Sequence, residues 1–394
     1  MLLSIIWIVS RRPQHQVPSH ATSLISSIVA SSTNNPIAEA VARIQNGFAP
    51  DDIKNIPTDA YTGSGSSQNS NTRNPSQPVY PKKERGDAPY SLSESALRAA
   101  IYIPSSFTYG RTTPLIMVPG TGSTGYLTYR GNFIKQFTGS SFADPVWLNI
   151  PDFLYDDAQV NAEYVAYAIN YIAGISRNKS SVSVMAWSQG NLDTQWALKY
   201  WPSTRKVVTD LVSISPDFHG TTTANTACPL GTPCPPAVIQ QEYDSNFVRT
   251  LRKNGGDSAY VPTTTVYTAT DTIVIPQSGA NASAIIKDAR GVGVSNSELQ
   301  VVCAGGTAGV YATHEGMLYN SLSYALAVDA LTHPGPGKTN RLNLRTVCNQ
   351  PASPGLTVED IAITEENIVI ALVANLAYPD KVTVEPPIKP YATS

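Results

Sequence analysis

The sequence predicts an α/β fold, a mostly parallel central sheet flanked by helices, and three observations predict it. Apolar runs of strand length occur at residues 115–118, 146–150, 182–187, 207–214 and 261–268. Segments with helical spacing separate them, most clearly residues 158–175, where Val160, Tyr164, Val165, Tyr167, Ala168, Tyr171 and Ile172 share a face. One strand, residues 182–187, passes through the sharp turn Ser188-Gln189-Gly190 directly into a helical stretch at 191–200. Strands that alternate with helices pair in parallel, because each crossover returns the chain to the same end of the sheet.

Composition bounds the reading. With 394 residues, 42% of them hydrophobic, the chain can bury a large core. The charged fraction of 14% and the net charge of −2 leave no basic footprint for a nucleic-acid partner. The apolar run at 2–9, followed by Arg11 and Arg12, is shorter than the roughly 20 residues that span a bilayer. It reads as a signal remnant, although its charge follows the apolar run rather than preceding it.

From residue 20 to 86 the chain turns to Ser, Asn, Pro and Gly, and residues 63–77 carry almost nothing apolar. Such a stretch is expected to be mobile. A helix island interrupts it, opened by Asn35-Pro36, given an apolar face by residues 37–44 and closed by Gly47. Lys82-Lys83-Glu84-Arg85 offers a processing site. Residues 1–85 therefore read as signal remnant plus flexible pro-segment, or as a simple extension, and 86–394 as the catalytic domain. Residues 358–376, followed by Pro379, predict a helix packed on the core rather than in a membrane.

Four cysteines lack close metal or redox spacing. In a secreted chain Cys228 pairs with Cys234 and Cys303 with Cys348, the second pair closing a loop of about 45 residues. The sequons at Asn178 and Asn281 agree with secretion and glycosylation.

The turn at Ser188 carries the chemistry. A strand-turn-helix elbow lifts a serine hydroxyl above the sheet, and small residues two before and two after, here Ala186 and Gly190, leave room for neighbouring backbone. Serine is a poor nucleophile until an imidazole takes its proton and a carboxylate orients that imidazole. In α/β-hydrolase folds the order along the chain is serine, acid, histidine. Asp271 stands just after the strand at 261–268 and meets the acid's requirement. The base is then His314 or His333, and His314 is favoured because a glycine and a helix follow it. His219 precedes the acid and reads as structural or pocket-lining, while His15 and His20 lie in the N-terminal tail. Oxyanion donors are expected from the Gln189 backbone and from the glycine-rich loop 119–125, which lacks the lysine of a phosphate-binding loop.

Together, Val118-Pro119-Gly120-Thr121-Gly122, Ala186-Trp187-Ser188-Gln189-Gly190, Val261-Pro262-Thr263-Thr264, Ala269-Thr270-Asp271, the stretch ending at His314 and the run from Asp156 to Tyr164 resemble the fungal lipases of the Candida antarctica lipase B type. The similarity runs from about residue 86 to the C-terminus. It implies an α/β-hydrolase fold, a secreted carboxylic-ester hydrolase, and a Ser188, Asp271, His314 triad; the protein is separately expected to be a monomer. It also implies an oxyanion hole from Thr121 and Gln189 and a pocket touching Trp187, Asp217, Gln241 and Ile273. The partner is a lipid or ester substrate, met in transient contact with a lipid-water interface, and no metal or organic cofactor is required. Of the family's three disulfides only the pair matching Cys303 and Cys348 is kept. Tyr102 and Val146 stand where a second would be, Cys228 and Cys234 are an addition, and Asn191 replaces a glycine beside the elbow. A short-chain carboxylesterase or acyltransferase on the same triad is the alternative, and an inactive hydrolase-fold binding protein the remote one.

Overall fold

A computed structural model describes residues 23, 24, 26–28, 36–45, 60–176 and 181–393. The apolar run at 2–9, His15, His20 and the Asn178 sequon lie outside the described residues.

The sheet follows from the apolar runs. Its strands are β1 (Ile101–Tyr102), β2 (Pro114–Val118), β3 (Asp144–Leu148), β4 (Val182–Trp187), β5 (Val208–Ile214), β6 (Thr263–Tyr267) and β7 (Val294–Glu298). Their spatial order is β1-β3-β2-β4-β5-β6-β7, parallel throughout except that β1 runs antiparallel to β3. The central strands are apolar at successive positions because both faces are covered. In β2, Ile116 and Val118 enter the core on one face while Leu115 and Met117 enter the core on the other.

Six helices matter for the site: α1 (Pro36–Gln45), α2 (Ala158–Ile175), α3 (Gln189–Tyr200), α4 (Ser321–Thr332), α5 (Val358–Glu365) and α6 (Asn367–Ala377). Helix α2 starts where the Asp157 side chain accepts from the Gln159 N–H. It is buried almost all round, packing with α3 over one face of the sheet. On the opposite face Leu322, Leu326 and Ala327 of α4 meet Val212 of β5 and Val266 of β6. These layers match the expected α/β-hydrolase architecture.

Two segments differ from what the sequence predicts. The single helix expected over 358–376 is two, α5 opening on a capping box of Thr357 and Asp360 and α6 following directly after Glu366, through which helical hydrogen bonds continue. The polar segment 63–77 is laid against the domain by hydrogen bonds instead of apolar burial. Trp147 Nε1 donates to the Ser64 carbonyl at 2.8 Å, Asn71 Nδ2 to the Ile101 carbonyl at 2.7 Å, and Tyr171 Oη to the Arg73 carbonyl at 2.7 Å. Such contacts leave no trace in composition.

Among the described residues no helix is long and apolar enough to cross a membrane. Both expected disulfides are present, and the described residues hold no free cysteine. The Cys303–Cys348 bond closes a separation of 45 residues beneath α4. Replacing both cysteines by serine is expected to cost about 4 kcal/mol of stability by lost chain constraint, read as a lower urea midpoint.

Candidate active site

The site is built where β4, β6 and the chain beyond β7 reach their carboxyl ends, the place where a parallel sheet leaves room for a ligand. Ser188 sits between β4 and α3 with φ 53° and ψ −132°, a conformation rarely taken by a residue with a side chain. Its surroundings explain how it fits. A Cβ on Gly190 would lie 2.4 Å from the Pro119 carbonyl oxygen, and a Cβ on Gly120 would lie 2.6 Å from Trp187 Cε3 and 2.9 Å from Ser188 Cβ. Glycine is needed at both positions because backbone must pass that close. The Asn191 amide then ties the elbow, donating to the Ser188 carbonyl at 3.0 Å and the Ile214 carbonyl at 3.3 Å. The sequence shows Asn191 only as a departure from glycine; its role needs the folded turn.

Asp271 and His314 meet behind the serine. His314 Nδ1 donates to Asp271 Oδ2 at 2.8 Å, and both side chains are buried. Asp271 Oδ1 accepts from the Ile273 and Val274 N–H groups, each at 2.9 Å, so the carboxylate cannot turn. With Nδ1 occupied, Nε2 is left without a hydrogen-bond partner among the described residues. The His314 ring packs on Trp187 with centroids 4.9 Å apart, and Trp187 Nε1 donates to the His314 carbonyl at 3.3 Å. Burial lowers the basicity of His314, and the Asp271 carboxylate, helped by Glu315 and Asp217, more than reverses this, so its pKa is raised. His333, the other candidate base, stands half-exposed just past α4 with Nδ1 3.1 Å from the Asp329 carbonyl, away from this cluster.

The glycine-rich loop turns beside the serine. The Gly122 N–H donates to the Phe153 carbonyl at 2.8 Å, and Thr121 Oγ1 lies 2.7 Å from Gln189 Oε1 and 3.0 Å from Gln241 Oε1. Gln189 Nε2 donates to the Leu154 carbonyl at 3.1 Å, joining the elbow to the same loops. Gln189 is the first residue of α3, so its backbone N–H has no intrahelical acceptor and is free for an anion.

A cavity of about 450 Å3 opens over these groups and is lined by Thr121, Trp187, Ser188, Gln241, Ile273 and His314. The Cys228–Cys234 loop and α6 add to its wall, and Ala224, Val238, Ile368, Leu372 and Leu376 give it an apolar surface. Asp271 is buried behind His314. Asp217, which the resemblance put along the pocket, is fully buried and does not line the cavity.

Among the described residues no other group hydrogen-bonds the Asp217 carboxyl oxygens, and burial, opposed only in part by its own backbone N–H and by His314, pushes the group up to about 7. Because the folded value lies above the ordinary carboxyl value of about 4, the folded state holds the proton that the unfolded state gives up, and stability falls as pH rises between the two. Asp217→Asn is expected to remove that fall. Its melting temperature should exceed that of the native protein at pH 8 and match it near pH 4.

No family profile matches the chain. Individual relatives do. Lipase B of Pseudozyma antarctica is 34% identical over 311 residues, covering 78% of this chain and 86% of that protein. The crystal structure of Aspergillus fumigatus lipase B superposes with a TM-score of 0.91 at 49% identity, covering 99% of this chain and 94% of the other. With a relative of this identity spanning most of its length, and with the sheet described above, the chain belongs to the lipase B family of α/β-hydrolases, a family of carboxylic-ester hydrolases.

Proposed function

We propose that the protein is a secreted, monomeric serine lipase that hydrolyses triacylglycerols and related esters at a lipid-water interface. Residues 86–394 are its catalytic domain. The observation that carries the reading is the His314–Asp271 hydrogen bond of 2.8 Å beside a cavity that Ser188 and His314 both line. The apolar wall of that cavity suits an acyl chain.

In this mechanism Ser188 Oγ attacks the ester carbonyl carbon while His314 Nε2 takes its proton. Asp271 keeps the imidazole in the tautomer with a free Nε2 and stabilises the cation that forms. The carbonyl oxygen becomes an oxyanion facing the Gln189 N–H and the Thr121 N–H and hydroxyl. For the Thr121 hydroxyl to donate there, its proton turns away from the glutamine oxygens that accept it in the free site. The tetrahedral intermediate collapses, His314 passes its proton to the departing alcohol, and an acyl-serine ester remains. Water, deprotonated in turn by His314, releases the acid and restores the serine. Where water is scarce another alcohol takes its place.

Ser188→Ala is expected to lower kcat on a dissolved p-nitrophenyl ester by about six orders of magnitude, and Asp271→Asn by about four, with the fold retained by circular dichroism. Unchanged hydrolysis in Ser188→Ala would defeat the assignment. The pH profile offers a second check. The base must be neutral to accept a proton, and its pKa is raised. The acid limb of kcat/KM is therefore expected above about pH 6.5, and a plateau extending well below it would contradict the His314-Asp271 pairing. Turnover of long-chain esters and emulsified triacylglycerol supports a lipase, whereas activity confined to short, dissolved esters makes the protein a carboxylesterase.

A further inference from the structure

An ion pair that catalysis does not use is one hydrogen bond away from Thr313, the residue before His314. Arg43, on α1 in the N-terminal segment, and Glu365, at the end of α5, are both fully buried, with Arg43 Nε 3.2 Å from Glu365 Oε2. Arg43 Nη1 also donates to the Ile28 carbonyl at 2.8 Å. The other carboxylate oxygen, Glu365 Oε1, accepts from Thr313 Oγ1 at 2.7 Å and from Tyr319 Oη at 2.8 Å. Thr313 immediately precedes His314, and its hydroxyl accepts the Gly316 N–H at 2.6 Å. One buried carboxylate therefore grips both ends of the short turn that presents the imidazole, and one arginine from a distant part of the chain neutralises it.

The physical consequence is directional. A buried carboxylate keeps its charge, and with it strong acceptance from Thr313 and Tyr319, only while a cation compensates it. Take the guanidinium away and the buried Glu365 carboxylate must admit water or move, and either outcome loosens its hold on the Thr313 hydroxyl. The backbone of His314 is then fixed by the weaker contacts to Trp187 and Ser215, at 3.3 and 3.4 Å. Proton transfer depends on where Nε2 sits, and displacements of an ångström at such a group lower turnover strongly.

We infer that Arg43 is a positioning residue for ester hydrolysis, setting the His314 imidazole through Glu365 and Thr313, so that the segment before residue 86 is part of the working enzyme. This rests on the triad reading above. The same segment also backs the cavity wall: Ala40 is buried against Ile368 and Val369 of α6, and Leu24 and Ile28 against Tyr319 and Ile361.

The test measures kcat and KM of the full-length chain on a dissolved short-chain p-nitrophenyl ester. Arg43→Met is expected to lower kcat about tenfold or more while KM stays within about threefold, and Arg43→Lys, which keeps the cation, to recover most of the loss. Thr313→Val leaves the ion pair intact and removes the hydroxyl that joins Glu365 to the histidine turn and accepts the Gly316 N–H. It is expected to lower kcat in the same way with the fold retained by circular dichroism, and it decides the matter alone if Arg43→Met does not fold. Native kcat in Thr313→Val would overturn the inference, as would an Arg43→Lys loss as large as that of Arg43→Met. With Ser188→Ala inactive beside it, such a result counts against the positioning role only. Activity surviving in Ser188→Ala would overturn the triad and this inference with it.

Discussion

The structure depends on one backbone conformation. Ser188 holds φ 53° and ψ −132°, which costs roughly 1–3 kcal/mol in isolation and persists only where the surroundings leave no other choice. Those surroundings are the centre of the sheet. Strand β4 is hydrogen-bonded on both sides, to β2 and β5, and runs straight into α3, so the turn has no room to relax. The close approaches at Gly120 and Gly190 and the Asn191 amide bonds follow from the need to pack backbone against that turn. In return the serine hydroxyl stands at the end of the sheet with a helix N-terminus behind it.

Around that fixed point each polar group is held by a second group. Asp271 is locked by two backbone N–H groups before it orients His314. Thr121 is held by glutamine oxygens, and Gln189 by the Leu154 carbonyl. The cavity wall is tied in the same way. Ser123, in the glycine-rich loop, donates to Asn367 Oδ1 at 2.8 Å at the start of α6, and Tyr155 donates to the Ala371 carbonyl at 2.6 Å in its middle. Helix α6 is therefore anchored on the glycine-rich loop and on Tyr155.

The central strands, α2, the serine elbow and both disulfides were legible because each rests on a local pattern: apolar runs, helical spacing, small residues flanking a serine, paired cysteines. The edges were not. β1 has two residues, and β7 reads Val-Ser-Asn-Ser-Glu with mostly half-exposed positions, since an edge strand needs no apolar pattern on a face it leaves open. His314 is favoured over His333 on local context alone; the fold buries the first and leaves the second exposed. What sequence could not show was interaction across long separations. Arg43 meets Glu365 across more than three hundred positions, and the polar stretch 63–77 is fixed by Trp147, Asn71 and Tyr171 through contacts that composition cannot register. Asp217 illustrates the converse, since a motif position implied a pocket residue and the fold buries it beneath the wall.

The central claim is that Ser188 is the nucleophile of an acyl-enzyme mechanism. Its most direct test is to react the protein with an alkyl p-nitrophenyl phosphonate, which phosphonylates an activated serine, and to map the adduct by peptide mass spectrometry. One adduct is expected, on Ser188, formed in step with loss of esterase activity and absent from His314→Ala. An adduct on another residue, or full inactivation with Ser188 unmodified, would contradict it.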